Sequence, residues 1–537
     1  MLYVAEQFTE EESAILRPYF TNLDGPVFAL ANLPEVVKGA LFARYSRSDK
    51  SLKRLFLDEF VEELDISGDM TFDASIGLKR AEQLYDRVFL EYGDDSVAQL
   101  GGVHLACEQA SNLLTKVLEW GRLMAYLEQS TRYIPYDTRL GGRYRYYRPS
   151  DLVDSPYGAR YVADSDRLFD IYGSLLPALT DWARERYPKD PSDSDFVYKQ
   201  TIKAKACDAV RGILPASTLS NVGIYGPGQS FESLLMRMRA HPLPEAREYA
   251  GLMLEELRKV IPSFLTRVDR QDRGVAWSEY FEDTREATSA VVAEAFADMG
   301  AEEAPLVTLT DFDPDGEDKV VAAICYSQTS LPEYQIFDRV RKMSTEEKLA
   351  ILRAYIGDRK NRRHKPGRAF ERTDYRFDVL ADYGAFRDLQ RHRMLTIEWQ
   401  QLTPTHGYDL PEAVIEAGVH GAFEEAMGIS ANCYDALVEW FPHQASYVVA
   451  LAYRLRFVMQ MNAREAMHLI ELRSTPQGHP AYRKVAQDMH RAIADVAGHR
   501  ALAEAMIYTD HNIYELERLE AERSAEARRV RIIQKES

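Results

Sequence analysis

Residues 382–404 read DYGAFRDLQRHRMLTIEWQQLTP. Arg387, Arg391, His392 and Arg393 crowd into this segment, and the flanks FRDLQ and MLTIEW are too apolar for a freely solvated basic surface. Two guanidiniums around an imidazole suit a pyrophosphate or a flat electron-rich ring, although a solvated basic helix end would read the same way.

Outward from this cluster the second half continues as MNAREAMHLIELRSTPQGHPAYRKVA, residues 461–486. The first half holds LEWGRLMAYLEQSTRYIPYD at 118–137, followed by GQSFESLLMRMRAHPLPEAREYA at 228–250. Both later segments end a helix in arginine, Arg239 and Arg473, then pass through a proline-containing turn into another helix. This shared order of parts reads as an internal duplication with unequal insertions. Apolar residues at three- and four-residue spacing make most of the chain helical. Strand signals are few; one begins at Ala304, where Leu306, Thr308 and Thr310 alternate into a Pro/Asp/Gly turn and a helix start. A boundary near Gly300 divides this mostly helical chain into domains 1–300 and 301–537.

The 537 residues exceed one ordinary core, and the net charge of −18 argues against a nucleic acid as partner. Local arginine clusters still fit a small anion. Cys107, Cys207, Cys325 and Cys433 are scattered without a CxxC pair, so no disulfide framework and no zinc site is expected. The acidic start MLYVAEQFTEEESAIL and the lack of an apolar run near about 18 residues predict a cytoplasmic protein with no membrane partner.

In YLEQSTRYIPYD an extended backbone would project Glu128, Ser130 and Arg132 to one side, an acceptor, a hydroxyl and a bidentate cation able to grip a phosphorylated ligand. A surface strand with a Glu–Arg pair reads equally well. In NAREAMHLIELR, Ala463, Met467 and Ile470 share an apolar stripe, with Arg464, His468 and Glu471 opposite and Asn462 at the start. His468 reads as too isolated for a metal ligand.

Together these segments resemble the flavin-dependent thymidylate synthases, whose signature runs R-H-R-x-x-S-x-N-E-x-S-x-R-Y. The resemblance covers nearly the whole chain twice, and neither copy is complete. The first half keeps the end of the signature as Glu128, Ser130, Arg132 and Tyr133, with Trp120, Gly121 and Arg122 at its start. The second half keeps Arg391, His392 and Arg393, and its end reads Trp399, Gln401, Thr403 and Pro404. Upstream, Asp94, Ser96 and Gln99 stand where the family has its His and Glu, whereas the second half offers His364 and Glu371. Downstream, Asn462, Arg464 and His468 match the flavin side, against Gly228 and Ser230 in the first half; Arg211 and Arg239 match substrate-side arginines.

The resemblance implies an α+β fold, mostly helical, of two tandem copies of the family fold, each with helices around a small antiparallel sheet, and with complementary losses. It implies reductive methylation of dUMP to dTMP with FAD as cofactor and NADPH and methylenetetrahydrofolate as co-substrates. Glu128, Ser130, Arg132, Tyr133, Arg211, Arg239 and Arg391 would bind the nucleotide, with Arg239 and Ser130 catalytic. Arg391, His392, Arg393, Glu371, Asn462, Arg464 and His468 would hold FAD. A homodimer forming a pseudo-tetramer follows, because the family assembles as tetramers. The alternatives are a flavoenzyme of the same scaffold acting on another pyrimidine nucleotide and a non-catalytic flavin- or nucleotide-binding relative.

Overall fold

A computed structural model describes residues 3–61, 99, 101–132, 134–516 and 518–536. Asp94, Ser96 and Tyr133 lie outside these residues. Two four-stranded antiparallel sheets form. The first contains β1 (Val27–Leu30), β2 (Gly102–Ser111), β3 (Ala125–Glu128) and β4 (Leu219–Pro227) in the order β1-β2-β4-β3. The second contains β5 (Val307–Phe312), β6 (Asp374–Asp382), β7 (Thr396–Trp399) and β8 (Arg454–Asn462) in the order β5-β6-β8-β7. The two orders are the same, so the duplication read from the sequence is present in the topology.

Matching helices follow matching strands. In chain order the helices that frame the sheets are α1 (Asn112–Leu118), α2 (Gly158–Arg186), α3 (Asp195–Val210), α4 (Gly228–Arg239) and α5 (Pro244–Arg258). They continue with α6 (Gly316–Tyr326), α7 (Tyr383–Leu389), α8 (His420–Leu437), α9 (Ala463–Arg473) and α10 (Pro480–Asp495). Strand β2 ends at Ser111, whose hydroxyl accepts from Leu114 N at 3.0 Å and starts α1. Strand β6 ends at Asp382, whose carboxylate accepts from Ala385 N at 2.9 Å and starts α7. Helices α4 and α9 end in Arg239 and Arg473, as the sequence predicts.

Alternation sets the layers. Tyr375, Phe377, Val379 and Ala381 of β6 are buried opposite Met461, Met459, Phe457 and Leu455 of β8. The apolar stripe of α10, Tyr482, Val485, Ala486, Met489 and Ile493, supplies buried residues packed against β5 and β6. In the first sheet β2 is bulged between Cys107 and Ala110, and Gln109 adopts a positive φ of 55° there.

The described chain divides into two compact units that are discontinuous in sequence. The first comprises Met1–Ser174, Ile213–Ala301 and Ala422–Ala450; the second comprises Leu175–Gly212, Glu302–Gly421 and Leu451–Ser537. The segment preceding β4, with α3, thus belongs to the second unit, and α8, which precedes β8, belongs to the first. Among the described residues, no helix is long and apolar enough to cross a membrane.

Candidate functional site

Strand β8 runs directly into α9, and the junction is fixed by Asn462, whose side-chain oxygen accepts from Glu465 N at 2.9 Å. Along α9, Arg464, His468 and Leu472 fall on one side and line a cavity of about 450 Å³. Arg362, Arg363 and Lys365 complete its lining.

His392 lies behind this wall. It is buried, and its Nε2 lies 3.0 Å from the Arg473 Nε that donates to it. Because Nε2 must accept, the imidazole carries its proton on Nδ1 and donates it to Glu465 Oε1 at 3.0 Å. Burial, with Arg473 and Lys365 beside it, drives this histidine well below its usual pKa, so it is neutral. Burial likewise raises the Glu465 carboxyl above the ordinary range. Arg473 also faces Asp388 at 3.8 Å. Arg391 and Arg393 flank this buried ring and are exposed.

His468 is not isolated, contrary to the sequence reading. The fold sets its ring 5.3 Å from that of His392, and burial takes its pKa to about 4. Its Nδ1 is buried without a hydrogen-bond partner among the described residues. His392, Glu465 and His468 offer possible ligand atoms within 4.8 Å of one another. The donor set does not fit a cation: both His392 nitrogens are already engaged, and Arg464, Lys365 and Arg473 crowd the same space.

Glu471 lies on the same polar stripe of α9 as Arg464 and His468. It is fully buried and meets Arg359 through paired hydrogen bonds of 2.6 Å. Arg359 Nε in turn donates to His364 O at 2.5 Å, and Arg464 Nε donates to Pro366 O at 3.0 Å. These bonds seat residues 359–368 along α9. Glu371 accepts from Arg368 at 3.0 Å and lies 3.8 Å from Arg464. Sequence reasoning missed Arg362, Arg363 and Lys365 as lining residues. The signal was present: RKNRRHKPGR puts six lysines and arginines into ten positions of an acidic chain.

The first unit holds the other set differently from the extended reading. Strand β3 ends at Glu128, and Ser130 N leaves the sheet to donate to Ser46 O at 3.2 Å. Arg132 N then donates to Ser130 Oγ at 3.3 Å, so Ser130 and Arg132 sit in a turn rather than on one strand face. Glu128 is buried and accepts from Lys116 Nζ at 3.1 Å; Lys116 also reaches Glu119. Arg239 is half-buried and donates to Val268 O at 2.9 Å. At the position equivalent to Arg391, the Trp120 ring is covered by the Arg237 guanidinium, 3.1 Å from its centre. Arg211 belongs to the second unit, where it lowers the otherwise burial-raised pKa of Asp382, and a Cβ at Gly384 would lie 3.1 Å from its guanidinium.

A UPF0159 protein of Chlamydia muridarum is 39% identical over 531 residues, 97% of this chain and 99% of that protein. A UPF0159 protein of Thermoplasma acidophilum is 34% identical over 516 residues, 90% of this chain and 97% of that one. Among solved structures, a UMP/dUMP methylase from Streptomyces cacaoi bound with 5-Br dUMP matches 37% of this chain and 93% of its own, with 19% identity and a TM-score of 0.30. The sequence pattern of one family matches twice, at residues 40–263 and 308–498, together more than half of the chain. The chain belongs to the thymidylate synthase complementing protein family.

Proposed function

We propose that this chain makes dTMP from dUMP by reductive methylation, with methylenetetrahydrofolate as carbon donor, FAD as cofactor and NADPH as reductant. The observation that supports the reading best is the cation-lined cavity on α9, which gathers Arg464 and His468 in front of the buried His392 of a family member. The lining fits an anionic ligand able to hydrogen bond, because no acidic residue lines it and the His468 Nδ1 lacks a partner.

On this reading the second unit holds FAD. Arg464 and His468 contact it from the cavity wall, with Arg391, Arg393, Glu371 and Asn462 around them. His392 acts as a positioning residue, since its neutral ring is tied to Glu465 and Arg473. Bound FAD supplies the hydride-transfer chemistry.

The nucleotide contacts come from Glu128, Ser130, Arg132, Tyr133, Arg211, Arg239 and Arg391. Arg132, Arg211 and Arg391 neutralise phosphate charge, and Ser130 and Glu128 orient base and sugar. Arg239 stabilises the uracil ring as it loses its N–H proton, so that the ring carbon becomes nucleophilic. No cysteine is assigned a role. Two duplicated chains supply the four copies of a family tetramer, so the working form is a cytoplasmic homodimer.

The test is direct. Purified protein should carry a yellow chromophore that NADPH bleaches, convert dUMP to dTMP in the presence of the folate, and rescue a thymidine auxotroph. Flavin binding without dTMP formation would leave another pyrimidine nucleotide as substrate.

A further inference from the structure

The strip 359–368 concentrates cations in a chain of net charge −18, and the fold sorts them by direction. Arg359 turns inward onto Glu471 and the Ala505 carbonyl. Arg362, Arg363 and Lys365 turn the other way and line the cavity with Arg464. The bond from Arg464 to Pro366 O ties the strip to α9, and the bond from Arg359 to His364 O closes the strip on itself, so the three side chains start from a braced backbone.

No carboxylate stands among the residues that line the cavity with these three cations. The neighbouring carboxylates are committed elsewhere: Glu471 to Arg359, Glu465 to His392, and Glu371 to Arg368. Like charges gathered together are unfavourable, and Lys365 has a lowered pKa caused first by burial, with Arg464 and Arg362 adding to the shift and Glu465 and Glu471 opposing it. His468 adds a second unmet demand in the same wall, a buried Nδ1 without a partner. One polyanionic ligand with hydrogen-bonding groups answers both demands.

We propose that Arg362, Arg363 and Lys365 form a diphosphate-reading arm of the cavity, which selects a dinucleotide over an unphosphorylated ligand of the same ring system. This assignment rests on the flavin reading of the cavity, and it extends the flavin side to three residues that the family resemblance does not assign. Two planar guanidiniums and an ammonium, joined by Arg464, match the paired charges of a diphosphate better than those of a single phosphate ester.

The experiment uses the full-length protein stripped of flavin and the variant Arg362→Ala/Arg363→Ala/Lys365→Ala. Flavin fluorescence quenching gives affinities for FAD, FMN and riboflavin, and calorimetry gives those for inorganic pyrophosphate and NADPH. The arm predicts that wild type prefers FAD to riboflavin by at least tenfold. The triple variant should lose roughly 100-fold in FAD affinity while riboflavin affinity stays within about twofold, as expected for the loss of several charge-assisted contacts. Pyrophosphate should compete with FAD in wild type only. The ligand-free variant should melt no lower than wild type, because relief of crowding does not unfold the chain.

Equal FAD affinity in both proteins would overturn the arm and leave the flavin reading intact. Pyrophosphate binding that the variant abolishes, in a protein that binds no flavin, would support the anion arm and overturn the flavin reading. Tighter binding of NADPH than FAD, lost in the variant, would assign the arm to the reductant's phosphates and overturn its assignment to FAD.

Discussion

Arg359 and Glu471 are joined by two guanidinium–carboxylate hydrogen bonds of 2.6 Å, and both side chains are sealed from solvent. The pair ties the last turn of α9 to the start of the cationic strip. Glu471→Gln leaves Arg359 charged without its counter-ion and should cost about 3–5 kcal/mol of stability. The paired change Arg359→Met/Glu471→Leu should recover a large share of that loss, because neither charge then remains buried. Chemical denaturation of the three proteins checks both statements. A Glu471→Gln protein as stable as wild type would show that the pair contributes little.

His392 and Arg473 are expected to act as one unit on the flavin side. His392→Ala leaves the Arg473 Nε and the Glu465 carboxylate without their shared partner. FAD dissociation constants for His392→Ala, Arg473→Ala and the double variant should reveal a coupling of about 0.5–3 kcal/mol. Strict additivity would separate the two residues. His392→Ala/Arg464→Ala should empty the protein of flavin, read from the absorbance of the purified protein.

The nucleotide side should respond separately. Arg132→Ala and Arg239→Ala each remove a charge-assisted contact worth about 1.5–3 kcal/mol and should weaken dUMP binding by roughly 10- to 100-fold. FAD content should stay at the wild-type level in both. Titration of the flavin-loaded proteins with dUMP tests this, and unchanged dUMP affinity in both variants would remove the nucleotide role from the first unit.

Glu245 predicts a pH-dependent stability that is independent of the cavity. It is fully buried, accepting from Ser111 N at 2.8 Å, Ser111 Oγ at 2.6 Å and Tyr447 Oη at 2.8 Å, and burial raises its pKa to about 7. A carboxyl with a raised folded-state pKa gives its full stabilisation below its unfolded value near 4.5 and loses it as pH rises through about 7. The stability of wild type relative to Glu245→Gln should therefore fall by about 3 kcal/mol between those limits. Melting temperatures of the two proteins at pH 4.5, 6 and 7.5 measure the change. Parallel curves would mean that Glu245 does not titrate in this range.

Local pattern carried some parts of this molecule and not others. The strand–turn–helix from Ala304 was legible because its periodicity changes from two to three and four, and β5 and α6 stand there. Helix α9 was legible from Ala463, Met467 and Ile470. Glu471 was not, since its helical stripe is the polar one and the residue that buries it, Arg359, is distant in sequence. The pairing of His392 with Glu465 and Arg473 is equally non-local. The end of β3 was misread because alternation in LEQSTR fits a strand or a strand leaving its sheet. The bonds from Ser130 N to Ser46 O and from Arg132 N to Ser130 Oγ distinguish the two.

The exchange of segments between the units has a consequence for the history and handling of this chain. A fragment ending near residue 301 would lack Ala422–Ala450, a piece of its own unit, and the remaining fragment would lack Leu175–Gly212. Neither product of a cleavage near residue 301 contains a whole unit. Separating the gene into two independent halves at that point would leave each half without part of its fold. The fusion thus works as a ratchet, and complementation between co-expressed fragments becomes the natural way to take the protein apart.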